Sequence, residues 1–303
     1  MLIVVAGSTG LIGRTVVSQL RAAGHEVRRL VRRAPVTADE REWDPLSGTI
    51  ARDAFDDGVD AAINLCGASF QGRWNAERKR YIRASRIEPA RTLAEAVAKH
   101  GVPTLLNASS LSFYGNTGDV VTDETAGEGP GFLAEMVVDW EAATAVARDA
   151  GSRVVLLRTG LVLSPDGGLL SLLKPPIQFG LGGRLGDGRQ YVAWISLPDE
   201  IAAIRFLLDN PDVSGPVNLC APEPVTNDEF TKALGRALRR PVLLPVPKAV
   251  VRAVLGEAAD ELALISLRVV PRVLCDAGFT FRHADFGTAL ADVLRPRPSL
   301  SGR

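Results

Sequence analysis

The sequence predicts an α/β fold built on a doubly wound parallel sheet, and three observations carry that prediction. Short, near-continuous apolar runs recur, the pattern of strands covered on both faces. Over the first half they alternate with amphipathic stretches, an order that implies right-handed parallel crossovers. The first run, Leu2–Ala6, leads directly into Gly7, Gly10 and Gly13, with Leu11, Ile12, Val16, Val17 and Leu20 following at helical spacing. That is the strand–turn–helix entry of a dinucleotide-binding, Rossmann-type unit. Gly7 takes the tight turn, because a residue without Cβ adopts positive φ at no cost. Gly10, flanked by Ser8 and Thr9, lets backbone N–H groups approach a pyrophosphate, and Gly13 lets the helix lie close to the strand. Leu11 and Ile12 open the helix, whose partial positive charge faces the phosphates.

The remaining elements follow in order. Strands are expected at Glu26–Val31 and at residues 61–66, 104–109 and 153–158, with a short extra strand at 41–45. Helices are expected at residues 11–23, at Ala76–His100 and at residues 132–150. Past residue 160 the texture changes. Residues 164–168 read as a turn, and the glycine-rich residues 179–188 as a loop. A helix at 197–208 and a strand at 217–220 return to the sheet. The rest reads as mostly helical: Asn227 caps a helix over 228–238, residues 241–247 are extended, and short helices follow at Lys248–Leu255, 259–264, 270–277 and 284–294. The expected domains are therefore residues 1–163 plus about 190–222 around the sheet, and about 164–189 plus 223–296 as a smaller, mostly helical C-terminal substrate domain. Residues 297–303 form a flexible polar tail.

Composition narrows the function. The 303 residues suffice for one large or two modest domains. Thirty-five basic and 35 acidic residues give zero formal net charge, which argues against nucleic acid or an anionic membrane as an obligate partner. No run of about 18 apolar residues is present to span a bilayer. Cys66, Cys220 and Cys275 are scattered, and His25, His100 and His283 do not cluster, so no metal spacing emerges. Free thiols in a reducing cytoplasm fit this pattern. The first strand starts at residue 2, which predicts no secretory leader and a cytoplasmic location.

Further segments carry a family resemblance. They are residues 64–68 (Asn-Leu-Cys-Gly-Ala), Arg73-Trp74, Ser85-Arg86-Ile87, residues 109–115 (Ser-Ser-Leu-Ser-Phe-Tyr-Gly), residues 158–163, residues 182–190, Trp194-Ile195, residues 271–274 and residues 277–279. Together they resemble an extended short-chain dehydrogenase/reductase, in the atypical "epimerase family" branch that carries a C-terminal domain of unknown function. The resemblance covers nearly the whole chain. It implies the Rossmann-type fold, and in extended members often a homodimer through two helices, here Ala76–His100 and residues 132–150.

The cofactor is read from the end of the second strand. An acid there would bind the 2′-hydroxyl of NAD; here the strand ends Leu30-Val31-Arg32-Arg33, with no acid before Asp39. Arg32 is therefore placed to grip the 2′-phosphate of NADP(H), with Arg33 or Arg14 assisting, and NADP is favoured over NAD. Leu65, Cys66, Gly67 and Ala68 would let the backbone lie along the ribose and pyrophosphate, or reflect tight packing alone. By fold analogy residues 157–160 run beside the nicotinamide, and Arg158 reads as a structural ion-pair partner.

The resemblance also implies hydride chemistry by a Ser, a Tyr and a Lys, the Lys four residues after the Tyr on one helix face. Ser110, next to Ser109 at the end of the fifth strand, matches the Ser. The helix that should carry the pair has Leu133 and Val137 at those positions, or Phe132 and Met136 after a one-residue slip. Both functional groups are absent. Tyr114 is the phenol nearest Ser110 in sequence and the candidate substitute, the alternative being a packing role. Glu135 and Asp139 read as a solvated helix face. Arg73, Trp74, Lys79, Arg86 and Arg184 are candidates to meet an anionic or flat substrate, the last from the glycine-rich loop acting as a lid; the alternatives are a charged helix face and a plain surface connection. The resemblance further places a His where Ser196 stands. Two readings of function follow: an NADP-dependent oxidoreductase or epimerase-like enzyme acting on a small polar molecule, or a non-catalytic NADP(H)-binding sensor or scaffold. An ordinary sugar-nucleotide epimerase is a third reading, which needs the missing base.

Overall fold

The computed structural model describes residues 1–179, 182–242 and 244–295. The N-terminal part runs β1 (Leu2–Ala6), α1 (Leu11–Ala22), β2 (Glu26–Val31), β3 (Glu40–Asp44), β4 (Thr49–Ile50), β5 (Ala61–Asn64), α2 (Ala76–His100), β6 (Thr104–Ser110), α3 (Phe132–Ala142), α4 (Ala145–Asp149) and β7 (Arg153–Thr159). Next come β8 (Leu161–Leu163), α5 (Gly168–Gln178), β9 (Tyr191–Val192), β10 (Trp194–Ser196), α6 (Leu197–Asp209), β11 (Gly215–Leu219) and β12 (Val225–Thr226). The C-terminal helices are α7 (Asn227–Ala237), α8 (Lys248–Leu255), α9 (Arg272–Asp276) and α10 (Phe286–Val293), with a π-turn at Ala259–Ala263.

Eight strands form one sheet in the order β11-β7-β6-β5-β1-β2-β3-β4, parallel except for the β3–β4 pair. The chain leaves β1 toward β2 and β3, then crosses back to β5, β6 and β7. The order therefore reverses between β1 and β5, the switch point at which open α/β sheets place ligands beyond their C-terminal strand ends. One face of the sheet packs Ile3, Val5, Leu106, Val155 and Leu157 against α1 and α6; the other packs Leu2, Val4, Ala6, Leu105 and Val154 against α2 and α4. A separate core of Leu170, Ile177, Trp194, Phe230, Leu234, Phe286 and Leu290 holds the C-terminal part together.

The structure corrects two expectations and adds one helix. The helix expected over 132–150 breaks after Ala142, where the Thr144 hydroxyl and N–H both bond to the Glu141 carbonyl. Residues 168–178 form a helix that the sequence reading did not assign. Thr226, not Asn227, caps α7, through a reciprocal capping box with Glu229; the Asn227 side chain accepts instead from the Leu185 N–H at 2.7 Å. In the described part of the glycine-rich loop Leu185 pairs with Val246, and a Cβ on Gly183 would sit 1.6 Å from the Leu244 carbonyl oxygen. The tail expected at 297–303 lies outside the described residues, as do Gly180 and Leu181 of the loop.

Candidate functional site

The glycine turn has the geometry its spacing predicts. Gly7 has φ of 78°, and a Cβ there would lie 2.6 Å from the Leu65 carbonyl. A Cβ on Gly13 would lie 2.1 Å from the Gly7 oxygen, so the close approach of α1 to β1 depends on that glycine. Gly10 differs: its nearest neighbour is the Gly7 oxygen at 3.4 Å, and its outer side is open. Gly10 caps α1 without a side chain, and no acid stands in the first turn. The first intrahelical bond is Arg14 N–H to Gly10 O at 3.0 Å, so the N–H groups before it have no helical acceptor. The Ser8 hydroxyl is buried with no hydrogen-bond partner, while Thr9 is exposed. An uncapped helix end, an open glycine and an orphaned hydroxyl fit a dinucleotide pyrophosphate.

Opposite the turn, the loop after β5 is fixed by a buried pair that the sequence reading missed. Asn64 Nδ2 donates to Asn107 Oδ1 at 2.7 Å, and Asn64 Oδ1 accepts the Cys66 N–H at 3.1 Å. Asparagine at matching places in two apolar strands was the available signal. Ala68 N–H donates to Ser85 Oγ, and the Ala68 carbonyl accepts from Arg86 at 2.8 Å. Burial pushes the Cys66 thiol up to about 12 and leaves it a neutral packing group.

At the end of β2, neighbouring arginines differ. Arg29 pairs with Asp39 and Glu40, and Arg33 lies bidentate on Glu40 at 2.7 and 2.8 Å. Arg32 is exposed and makes no hydrogen bond or ion pair among the described residues. Of the cations expected at the ribose, Arg33 is therefore engaged elsewhere. Arg14 lines a cleft of about 1090 Å³ together with Arg282, Asp292 and Arg295.

At β6 and β7 the polar groups bind one another. Ser109 Oγ donates to Glu141 at 2.5 Å; Glu141 receives both arms of Arg158 at 2.8 Å; Arg158 donates to the Tyr114 hydroxyl at 3.0 Å, which donates to Asn218 at 2.8 Å. The Arg158 guanidinium also stacks 3.5 Å from the Phe113 ring centroid. Tyr114 is 5% exposed, and burial raises its pKa, so its phenol would have to leave two partners to reach a substrate. Ser110 is half-buried and bonds only within its own turn, accepting from Ser112 N–H at 3.2 Å and sharing a 3.1 Å bond with Ser112 Oγ. Leu133, Met136 and Val137 are buried in an apolar cluster with Trp74 and Trp140, and Phe132 packs at its edge.

The candidate substrate residues divide. Trp74 is buried, donates to the Phe70 carbonyl and meets Phe132 edge-on at 5.6 Å. Arg86 is buried beneath Gly67 and stacks 4.0 Å from the Phe70 ring; burial lowers its pKa to about 10. Arg73 donates to Ala253 O, and Lys79 pairs with Glu257, both partners belonging to the C-terminal part. From the same region Glu261 accepts the Phe132 and Leu133 N–H groups at 3.1 and 3.2 Å and caps α3. Arg184 faces Asp228 on α7, away from this group. Ser196 is buried at the start of α6, and His283 Nδ1 lies 2.9 Å from its hydroxyl.

Comparison with known proteins yields two family matches. The NAD dependent epimerase/dehydratase family matches residues 3–220, and a domain of unknown function, DUF1731, matches residues 246–293. The epimerase family protein Mb2239 of Mycobacterium bovis is 52% identical over 289 residues, covering 95% of this chain and 96% of that protein. The crystal structure of human epimerase family protein SDR39U1 (isoform 2) with NADPH superposes with a TM-score of 0.87 at 31% identity, covering 97% of this chain and 99% of that one. A Thermus thermophilus UDP-glucose 4-epimerase complex with NAD shares the fold, with a TM-score of 0.76 at 20% identity over 97% of this chain and 99% of that one.

Proposed function

This chain belongs to the NAD dependent epimerase/dehydratase family, and we propose that within it the protein binds NADPH and acts as an oxidoreductase or epimerase-like enzyme on a small polar carbonyl compound. The NADPH part rests on the unpaired Arg32. Its neighbours Arg29 and Arg33 are paired with Asp39 and Glu40, whereas Arg32, alone of the three, makes no hydrogen bond or close ion pair among the described residues and acts on Asp44 only through space. The human relative's structure with NADPH supports the same choice. In this reading the N–H groups at the start of α1, with the Ser8 hydroxyl, hold the pyrophosphate, and the loop at Leu65, Cys66, Gly67 and Ala68 flanks the ribose. Bound NADPH would supply a hydride. Ser110, whose hydroxyl is tied only to its own turn, would orient the substrate oxygen; Ser109 and Tyr114 stabilise the sheet edge through Glu141 and Arg158. A cytoplasmic setting suits the three free cysteines.

Fluorescence titration with NADPH and NADH tests the cofactor. NADPH is expected to bind tighter, and equal affinities would refute the assignment. A second reading, a non-catalytic NADPH sensor, is favoured by one observation: Leu133 and Val137 are buried apolar groups at the expected Tyr and Lys positions. A carbonyl panel followed by NADPH absorbance separates the two readings. Turnover that disappears in Ser110→Ala supports the enzyme.

A further inference from the structure

The oxidoreductase reading leaves a proton to be supplied, because the Tyr and Lys positions carry none. A buried acid with an unpartnered oxygen stands near the reacting edge. Glu200, in the first turn of α6, is 0% exposed. Its Oε1 is 2.9 Å from the Thr159 hydroxyl, and its Oε2 has no partner. No ion pair reaches it among the described residues; only burial and the Thr159 hydroxyl act on its charge. An ionised carboxylate could not be left in this state without a large desolvation cost, whereas a neutral acid needs only one good bond. Thr159 ends β7 and is the direct partner of Ser110 across the β6–β7 pair, so the two hydroxyl side chains emerge on the same face of the sheet. Ser110, Thr159 and Glu200 thus form a series from the C-terminal edge into the interior.

We infer that Glu200 is a stored neutral acid that delivers a proton through the Thr159 hydroxyl to a substrate oxygen held at Ser110. The inference rests on the oxidoreductase reading above. As the carbonyl carbon gains a hydride, with NADPH as the reductant leaving as NADP⁺, the carbonyl oxygen takes the Thr159 proton. Thr159 Oγ1 takes the Glu200 proton, and the carboxylate left behind regains one from water by the same path. A hydroxyl serves in both directions because its hydrogen rotates. Burial, which pushes Glu200 up to about 8, keeps the acid neutral at neutral pH. Thr159 would be the group at the substrate, and Glu200 the positioning residue behind it.

Infrared difference spectra of wild-type against Glu200→Gln protein at pH 7, with no nucleotide present, test the stored acid. A protonated-carboxyl band is expected that vanishes in Glu200→Gln, shifts in Thr159→Val and fades as pH rises through about 8. Absence of the band at pH 7, or a band indifferent to Thr159→Val, overturns the inference. The wild-type band and the Thr159→Val shift decide the matter even if Glu200→Gln fails to fold. In turnover, Thr159→Val is expected to lower kcat by about 10²–10⁴-fold; a kcat equal to wild type overturns the relay. Failure of wild type to bind NADPH would instead remove the oxidoreductase reading, with the infrared result standing by itself.

Discussion

The two halves of the sheet's C-terminal edge are built on opposite principles. Where β1, β2 and β5 end, the polar groups are left open: an uncapped helix, an orphaned Ser8 hydroxyl and an unpaired Arg32. Where β6 and β7 end, nearly every polar group is spent internally, from Ser109 through Glu141 and Arg158 to Tyr114 and Asn218. In the proposed reading the first half binds through the backbone N–H groups at the start of α1, with Ser8 and Arg32 adding side chains. The second half would react with side chains, and its expected Tyr and Lys positions hold Leu133 and Val137 with α3 still formed. This is why a shared fold carries the cofactor site farther than it carries the chemistry.

The contrast breaks most readily at Glu141. Replacing it with Ala leaves Arg158, 4% exposed, as a buried cation without its carboxylate. The expected loss is about 3–5 kcal/mol of folding stability, read by urea or thermal unfolding. A loss near zero would mean that this network is not what holds the β6–β7 edge. On the open half, Arg32→Ala is expected to weaken NADPH by about 1.5–3 kcal/mol, a tenfold change or more, and to leave NADH unchanged. Titration of both nucleotides against both proteins checks the difference, and a parallel loss for NADH would point to a general disturbance of the loop.

How much of this was legible follows from the range of each interaction. The glycine turn, the bounds of α2 and α8 and the parallel alternation are local patterns, and the structure reproduces them. The helix over 168–178 was hidden because Gly167, Gly168, Pro175 and Pro176 all read as breakers, although α5 uses them at its start and near its end. The cap on α7 was misplaced by one residue because Thr226 and Asn227 are both good capping types; the capping box with Glu229 decided it. Glu141, Glu200 and Glu261 could not be read at all, and Asn107 only as an asparagine set in an apolar strand. Each acquires its role from a partner 17 to 129 residues away, and only the assembled sheet brings those partners together.

Gly13 tests whether the open half depends on backbone alone. A Cβ there meets the Gly7 oxygen at 2.1 Å and Ser8 Cα at 3.0 Å, so Gly13→Ala must push α1 away from β1. Overpacking of this kind costs about 1–3 kcal/mol, and NADPH binding should fall with it, because the helix N–H groups move off the phosphate position. Retained affinity in a destabilised protein would show that Arg32 and Ser8 suffice without the helix end.

The smallest expected effect is also the sharpest test of the comparison. Arg32 and Arg33 are adjacent, both exposed and both cationic, and they differ in that Glu40 already holds Arg33. If an internal partner is what removes a cation from ligand binding, Arg33→Ala should leave NADPH affinity near that of wild type while Arg32→Ala does not. Equal losses from the two variants would mean that NADPH outcompetes Glu40, and that the ribose end is a two-arginine clamp. Glu40→Gln then distinguishes a clamp from a spectator. With Arg33 released it should tighten NADPH if Arg33 reaches the phosphate, and leave it unchanged if the guanidinium lies out of range.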